Sequence, residues 1–383
     1  MKKRDDFLPL SRPDIGDSEV AAVSAVLRSG WITSGPATAK FESVFAEYCG
    51  APGAVSVASG TAGLHILLIA LGIGKGDEVI TPSMTFASTV NQLVLAGAKP
   101  VFVDCDYETL NLRVDAVEAL ITPRTKAIMP VHFAGVPCDM DPLMELARRR
   151  GIAVIEDAAH AVGTRYKGKP AGSHGNPAVF SFHPIKNITT GEGGMVTLHD
   201  NRLADRLKLL RFHGIDRDAW KRYGQGGVPG YDVAEPGFKY NMTDIQSALG
   251  LAQLARVGEM NARRKALAER YLAGLKGVPG LDLPGSPSYP HDHSWHLFIV
   301  KVQGMPREKF FGGMSGLNVG CGMHFPPCHL LSLSRKALGT GPGTLPETEK
   351  AGERVVSLPL FPGMSAADAD YVVEAVSEVL KSG

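Results

Sequence analysis

From about residue 50 to residue 210, short apolar runs alternate with longer segments whose apolar positions recur at helical spacing. Runs of that length read as buried strands and the segments between them as crossover helices, so the pattern predicts a mostly parallel sheet. The strands fall at 54–57, 78–80, 99–103, 127–131, 153–155, 178–182 and 194–197, and a helix at 62–71. Residues 243–271 read as one or two helices leaving the sheet, started by Asn241 and Thr243. From Trp295 onward strands and helices alternate again, which predicts a smaller α/β domain. The boundary is set near Arg256, giving a large domain over 1–255 with an N-terminal segment and a small one over 256–383. After Arg307 a helical pattern is interrupted by Gly312, Gly313 and Gly316. Residues 223–236, rich in Gly and Pro, read as a mobile loop near the site or as a plain surface excursion.

Polar chemistry gathers where the apolar runs end. The run Phe180-Ser181-Phe182 passes through His183, Pro184 and Ile185 to Lys186, followed by hydroxyls and by Gly191, Gly193 and Gly194. A lysine shielded from water loses its proton more easily, and a neutral amine adds to an aldehyde, of which pyridoxal phosphate (PLP) is the evident one. Taken singly, Lys186 also reads as a surface lysine opening a loop. The run 151–155 ends in Glu156-Asp157 and His160, at the strand edge where open α/β sheets bind ligands. A carboxylate there keeps a pyridine nitrogen protonated, the role given to Asp157; the bland reading is a strand-ending pair that caps a helix. His160 either packs beside the ring or starts that helix. Ser59-Gly60-Thr61 turns a strand into a helix whose first amides suit a phosphate, or is a simple N-cap. Phe86, after the run 78–80, lies on a flat ring or in the core.

Together these segments resemble the sugar aminotransferases of the DegT/DnrJ/EryC1/StrS family, PLP enzymes of aspartate aminotransferase type, fold type I. The resemblance extends from Ser29-Gly30-Trp31-Ile32-Thr33 through Phe238-Lys239-Tyr240-Asn241 to Gly322-Met323-His324-Phe325 and Ser357-Leu358-Pro359. The wording around Lys186 is most similar to branches that aminate C4 of a UDP-linked 4-keto sugar, the aminoarabinose branch first and the altrosamine branch next. The resemblance implies that Lys186 anchors PLP covalently and moves the proton as base and acid, and that Asp157 pairs with the ring nitrogen. It further implies Gly60, Thr61 and Ser181 at the phosphate, Phe86 over the ring and His160 beside it. Asn241 matches a residue that reaches the phosphate in the neighbouring subunit, which implies a homodimer with shared active sites. Glutamate is the implied donor, leaving as 2-oxoglutarate with pyridoxamine phosphate behind, and a nucleotide 4-keto sugar the acceptor. His183, His324 and His329 are candidate sugar contacts, each equally readable as a structural histidine, and Trp31 and Thr33 are candidates to close over the ligand. Arg211 and His213 also match the family without a derivable role. Sugar dehydratases of the same family carry histidine in place of the lysine, and a regulator built on the fold predicts loss of the lysine, the aspartate or the phosphate turn.

Composition narrows the classes. A chain of 383 residues exceeds the roughly 250–300 that one core supports. A net charge of +1 offers no field for nucleic acid or an acidic membrane. The start Met1-Lys2-Lys3-Arg4 lacks the apolar stretch of a secretory signal, and the run 62–71 is too short to span a bilayer, so a cytoplasmic protein is expected. Five scattered cysteines point to reduced thiols, and Cys321 and Cys328 beside His324 and His329 lack the second chelating pair of a zinc site. No metal is expected.

Overall fold

The computed structural model describes residues 1–215 and 230–381. The large sheet begins with β1 (Gly53–Val57), β2 (Glu78–Pro82), β3 (Lys99–Val103) and β4 (Thr125–Ile128). It continues with β5 (Ala153–Val154), β6 (Glu156–Asp157), β7 (Ala178–Ser181) and β8 (Gly194–Leu198). Two four-stranded halves, β3-β2-β4-β5 and β1-β8-β7-β6, meet where β6 prolongs β5. There the Ile155 amide donates to the Ile128 carbonyl at 3.0 Å and the Asp157 amide to Pro130 at 2.8 Å, which makes one sheet of the two. Pairing is parallel throughout except at β8, which runs against both its neighbours. The expected strands are present with ends shifted by a few residues.

Small residues set how closely helices approach this sheet. A Cβ on Gly63 would stand 2.9 Å from Val179 and 3.1 Å from Val196, so the helix Gly60–Ala70 lies directly on β7 and β8. Residues 243–271 form one helix, Asp244–Gly274, opened by a capping box between Thr243 and Gln246. Arg256 stands within it, paired with Asp14 at 2.9 Å and Glu19 at 3.0 Å. Asp244 caps a second helix, Pro36–Cys49, by accepting from the amides of Gly35 at 2.7 Å and Thr38 at 2.9 Å.

The C-terminal part folds on an antiparallel sheet of β9 (Leu281–Asp282), β10 (Phe298–Val302) and β11 (Val355–Leu358). Its core gathers Tyr271, Phe298, Phe310, Met314, Val356 and Val376, together with Leu8 from the N-terminal segment. Leu8 pairs with Val319, crossing from one end of the chain to the other. The interruption expected after Arg307 does not occur: Arg307–Gly316 is a continuous helix. A Cβ on Gly313 would lie 2.7 Å from Val379, so this glycine admits the helix Ala366–Lys381 at close range instead of breaking its own. Of the loop read at 223–236, residues 223–229 lie outside the described residues. The described remainder is tied down by a bridge from Ile215 to Val233 and by Arg206–Glu235 at 3.0 Å. Among the described residues no helix is long and apolar enough to cross a membrane. All five cysteines are free thiols, four of them buried.

Candidate active site

At the C-terminal edge of the large sheet opens a cleft of about 380 Å³. Strand ends deliver Asp157 and Ser181 to it, the helix start delivers Gly60 and Thr61, and the turn after β7 delivers His183 and Lys186. Phe86, His160 and His324, also expected, line it as well, together with Phe325, Glu192 and Thr85. Residues far apart in sequence thus meet because parallel strands all point their C-termini the same way.

The helix start is open toward this cleft. The Ser59 hydroxyl accepts from the Ala62 amide at 3.1 Å and the Ser59 carbonyl from Gly63, which leaves the Gly60 and Thr61 amides as the unspent donors of the first turn. Two glycines make the approach possible, since a Cβ on Gly60 would meet Ser181 at 3.1 Å and one on Gly194 would meet the Gly60 nitrogen at 2.6 Å. Amides and hydroxyls converging at a helix start suit a phosphate.

Asp157 is 5 % exposed. It accepts from the Thr89 hydroxyl at 2.8 Å and the Ala159 amide at 3.1 Å, and no cation lies within ion-pair distance among the described residues. Burial raises its pKa, against the pull of these hydrogen bonds and of Lys186. A buried carboxylate in that condition fits a cationic partner such as a protonated ring nitrogen. Its neighbour Glu156 points to the opposite face, where hydrogen bonds from His132 at 2.7 Å and His174 at 3.3 Å overcome the cost of burial and hold its pKa at about 2.

Lys186 faces the cleft with its ammonium form penalised: burial lowers its pKa to about 8, and the Asp157 carboxylate only partly opposes this. Near neutral pH a useful fraction of the amine is uncharged. The rate at which the cofactor-free protein combines with PLP is therefore expected to rise with pH and level off above about 8, as followed by the visible absorbance band. A plateau only above pH ~10, the range of an ordinary lysine, would contradict the shift. His160 is kept neutral by burial and by the positive charge of Lys186. Its Nδ1 accepts from the Ala134 amide at 3.2 Å, which leaves its proton on Nε2. His324 is pushed down to about 4 by burial and by Lys186, and its Nδ1 is bonded to Ser357 at 2.8 Å.

Not every expected residue reaches this cleft. His329 is fully buried between Ser83, 2.7 Å from its Nδ1, and Glu349, 3.1 Å from its Nε2, and does not line the cleft; its two ring nitrogens are spent on structure. His329→Ala is accordingly expected to cost about 1–3 kcal/mol of stability by orphaning Ser83 and Glu349, while leaving the KM for sugar unchanged; melting and steady-state kinetics would separate the two. Arg211 is likewise structural, donating to Glu42 and to the Ser56 carbonyl at 2.8 Å. His213 adopts a positive φ of 57° in a turn that also lies outside the cleft lining. Trp31, Thr33 and Asn241 do not line the cleft of their own chain. They meet at the start of the long helix: Trp31 Nε1 donates to the Ser34 carbonyl at 3.1 Å, the Asp244 amide to the Thr33 carbonyl at 3.2 Å, and Asn241 to the Ser34 hydroxyl at 2.7 Å. Sequence reading missed Thr89, which holds Asp157; nothing in the spacing assigns that hydroxyl to a carboxylate far along the chain.

The chain matches the DegT/DnrJ/EryC1/StrS aminotransferase family over residues 13–377. Among solved structures it resembles Spr1654 from Streptococcus pneumoniae, known in PLP, PMP and apo forms, at 34 % identity, TM-score 0.91, over 98 % of this chain and 99 % of that one in the PMP form. It is similar to DesV from S. venezuelae at 38 % identity, TM-score 0.86, over 95 % of this chain and 94 % of that one. PseC of Helicobacter pylori, an aminotransferase involved in the biosynthesis of pseudoaminic acid, aligns at 27 % identity and TM-score 0.92 over 99 % of this chain and 100 % of that one. The architecture is fold type I of the PLP-dependent aminotransferases, as the strand pattern and the resemblance predicted. A cleft that joins a softened lysine, a buried aspartate and an open helix start, in a chain matched almost end to end, has one family to belong to: this protein is a member of the DegT/DnrJ/EryC1/StrS aminotransferases.

Proposed function

We propose that the protein transfers an amino group from glutamate to C4 of a UDP-linked 4-keto sugar, for amino sugars of the cell envelope or surface glycans. The observation that carries this reading is the meeting of Lys186, Asp157 and the open start of the helix Gly60–Ala70 at one cleft. PLP is the cofactor. Gly60, Thr61 and Ser181 hold its phosphate, Asp157 its ring nitrogen, and Phe86 and His160 its ring, with Lys186 as the covalent anchor. When bound, PLP supplies an electron sink for a carbanion next to the amine being moved.

The chain's own groups do the rest. Asp157, buried and anchored by Thr89, would stand as the carboxylate partner of the ring nitrogen. His160 offers Nε2–H from a ring held at its other nitrogen. Lys186, with its pKa lowered to about 8, takes a proton at one carbon as a free amine and returns it at another as the ammonium. Phe86 and Phe325, their ring centroids 5.5 Å apart, form an apolar wall that limits water at the reacting atoms. His183, exposed at the cleft, and His324 are the sugar-side candidates.

The same reading makes the working unit a cytoplasmic homodimer with shared sites. Trp31, Thr33 and Asn241 form one patch outside their own cleft, which supports their serving the cleft of the partner. Mixing Lys186→Ala protein with Asn241→Ala protein, each impaired alone, is then expected to restore up to about a quarter of wild-type activity, because half the dimers carry one intact site. No recovery after subunit exchange would oppose sharing.

The test of the reaction is a single-turnover absorbance experiment. The enzyme is converted to its pyridoxamine form with glutamate, freed of excess, and given UDP-linked 4-keto sugars one at a time. Return of the PLP band with a 4-keto pentose selects the aminoarabinose branch; preference for a 4-keto-6-deoxyhexose selects the other. No change of the band with glutamate would remove the donor from the proposal.

A further inference from the structure

Behind the cleft, on the face of the sheet away from the Asp157 side chain, lies a second buried carboxylate that the proposed reaction does not use. Glu156 is fully enclosed, and among the described residues no lysine or arginine stands within ion-pair distance of it. A buried charge without a cationic partner is costly and has to be held by hydrogen bonds. Three converge on it, from His132 Nε2 at 2.7 Å, His174 Nδ1 at 3.3 Å and the Gly172 amide at 3.3 Å. The His132 contact is the shortest, and that ring is itself fully buried. Its Nδ1 accepts from the Cys138 amide at 3.0 Å, which leaves the proton on Nε2, facing Glu156.

One imidazole thus makes two ties. Nδ1 closes the turn 132–138 upon itself, and Nε2 fastens that turn to β6, the strand that ends in Asp157. The backbone repeats the second tie, since the His132 amide donates to the Asp157 carbonyl at 3.1 Å. At the tip of the turn Ala134 has a φ of 56°, in the left-handed region that a residue with a Cβ seldom enters. Its amide in that conformation donates to His160 Nδ1, 3.2 Å away. The turn runs so close to His160 that a Cβ on Gly135 would stand 3.2 Å from the His160 carbonyl oxygen. Asn111 braces the turn as well, accepting from the Phe133 amide at 3.0 Å and donating to the carbonyls of Val136 and Pro137. The shape of the turn therefore has two supports, while His132 supplies its side-chain tie to β6.

We infer that the buried pair of Glu156 and His132 positions His160. It clamps the turn 132–138 to the strand of Asp157, holds the Ala134 amide against His160 Nδ1, and so keeps the His160 proton on Nε2. Glu156 and Asp157 are neighbours on β6. On the PLP reading, one short strand then carries the group that faces the ring nitrogen and also anchors, through the turn, the histidine beside the ring. The two contacts to the cofactor are thereby fixed relative to each other. The functional half of this inference rests on the cleft being the PLP site; the tautomer of His160 does not, so the two fail separately.

The test is nitrogen NMR of isotope-labelled histidine rings in the cofactor-free protein, with His160 assigned by its loss in His160→Gln. Wild type is expected to show His160 as a single tautomer with Nδ1 unprotonated. His132→Phe, which removes both ties, is expected to leave His160 in a mixture of tautomers. It is also expected to weaken PLP binding by about threefold to tenfold and to move the visible band of the holoenzyme. Two further variants separate the ties and stand in if His132→Phe does not fold. His132→Asn offers an acceptor to the Cys138 amide but falls short of Glu156, and is expected to behave as His132→Phe does. His132→Gln reaches Glu156 with an amide N–H and is expected to restore both the single tautomer and the band. A mixed tautomer in wild type, or an unchanged single one in folded His132→Asn, overturns the clamp. A mixed tautomer in the variants with an unmoved band and unchanged PLP affinity overturns the positioning role. Wild-type protein that forms no visible band with PLP overturns the functional half alone, and the tautomer result then stands by itself.

Discussion

Lys186→Ala is expected to lower turnover at least about 10⁴-fold, the largest effect of any single substitution in this chain. On the proposed mechanism three functions end together with the amine: the covalent hold on the cofactor, the removal of the proton and its return. The surroundings of Lys186 compensate for none of them. His160 and His324 are both pushed toward the neutral form, His160 with one ring nitrogen committed to Ala134 and His324 with one committed to Ser357. Neither replaces an amine that exchanges its charge near pH 8. The fold is expected to survive, because Lys186 has no ion pair among the described residues and its removal relieves a desolvation cost. The measurement is oxoglutarate formation alongside a melting curve. Near wild-type turnover in a folded variant would show that another group is the nucleophile. PLP is expected to remain bound but to leave on dialysis, since the noncovalent contacts persist.

Asp157→Asn is expected to lower turnover by about 10²–10³-fold, the equivalent of losing one partner of a buried charge pair. The substitution keeps volume and an acceptor for the Ala159 amide, while the Thr89 hydroxyl, which donates to the other carboxylate oxygen, turns to accept from the new amide nitrogen, so the missing charge is isolated from any change in shape. Stability is expected to move the other way in the cofactor-free protein. Burial raises the Asp157 pKa above its unfolded value, so between those two values the folded protein holds a proton that the unfolded chain has released. Stability from this group is present at low pH and is lost as pH rises through the folded pKa. At neutral pH the wild-type protein bears the cost of burying this carboxyl group, which the asparagine variant lacks. A higher melting temperature for the cofactor-free variant, together with slower turnover, is the expected pair of results. A drop in both would assign Asp157 to structure alone.

Much of this site was legible because the fold concentrates chemistry at strand ends. Asp157 and Lys186 each follow an apolar run, and Gly60 and Thr61 open a helix, so the pattern that predicts the sheet also points to residues that share its edge; Ser181, inside its run, was placed by the family resemblance alone. The histidines divided by a different rule. His324 and His329 stand in one short segment, yet one faces the cleft and the other is clamped by Ser83 and Glu349. Those partners arrive from distant parts of the chain, and local spacing carries no trace of them. Thr89, bonded to the distant Asp157, escaped notice for the same reason. The glycines after Arg307 were misread because helix propensity is a local quantity; the close approach of Val379 to Gly313 is a tertiary one.

The crossing of the N-terminal segment sets a timetable for synthesis. Leu8 is enclosed by the C-terminal core, with its amide bonded to Asn318 at 2.9 Å and its carbonyl accepting from Gly320 at 2.8 Å. A ribosome adding ~5–20 residues per second delivers those partners on the order of 15–60 s after Leu8 has emerged. Throughout that interval Leu8 lacks these partners, while the large sheet is free to form. The contact therefore closes late, made by a segment that has left the ribosome about 310 residues before its partners Asn318 and Gly320.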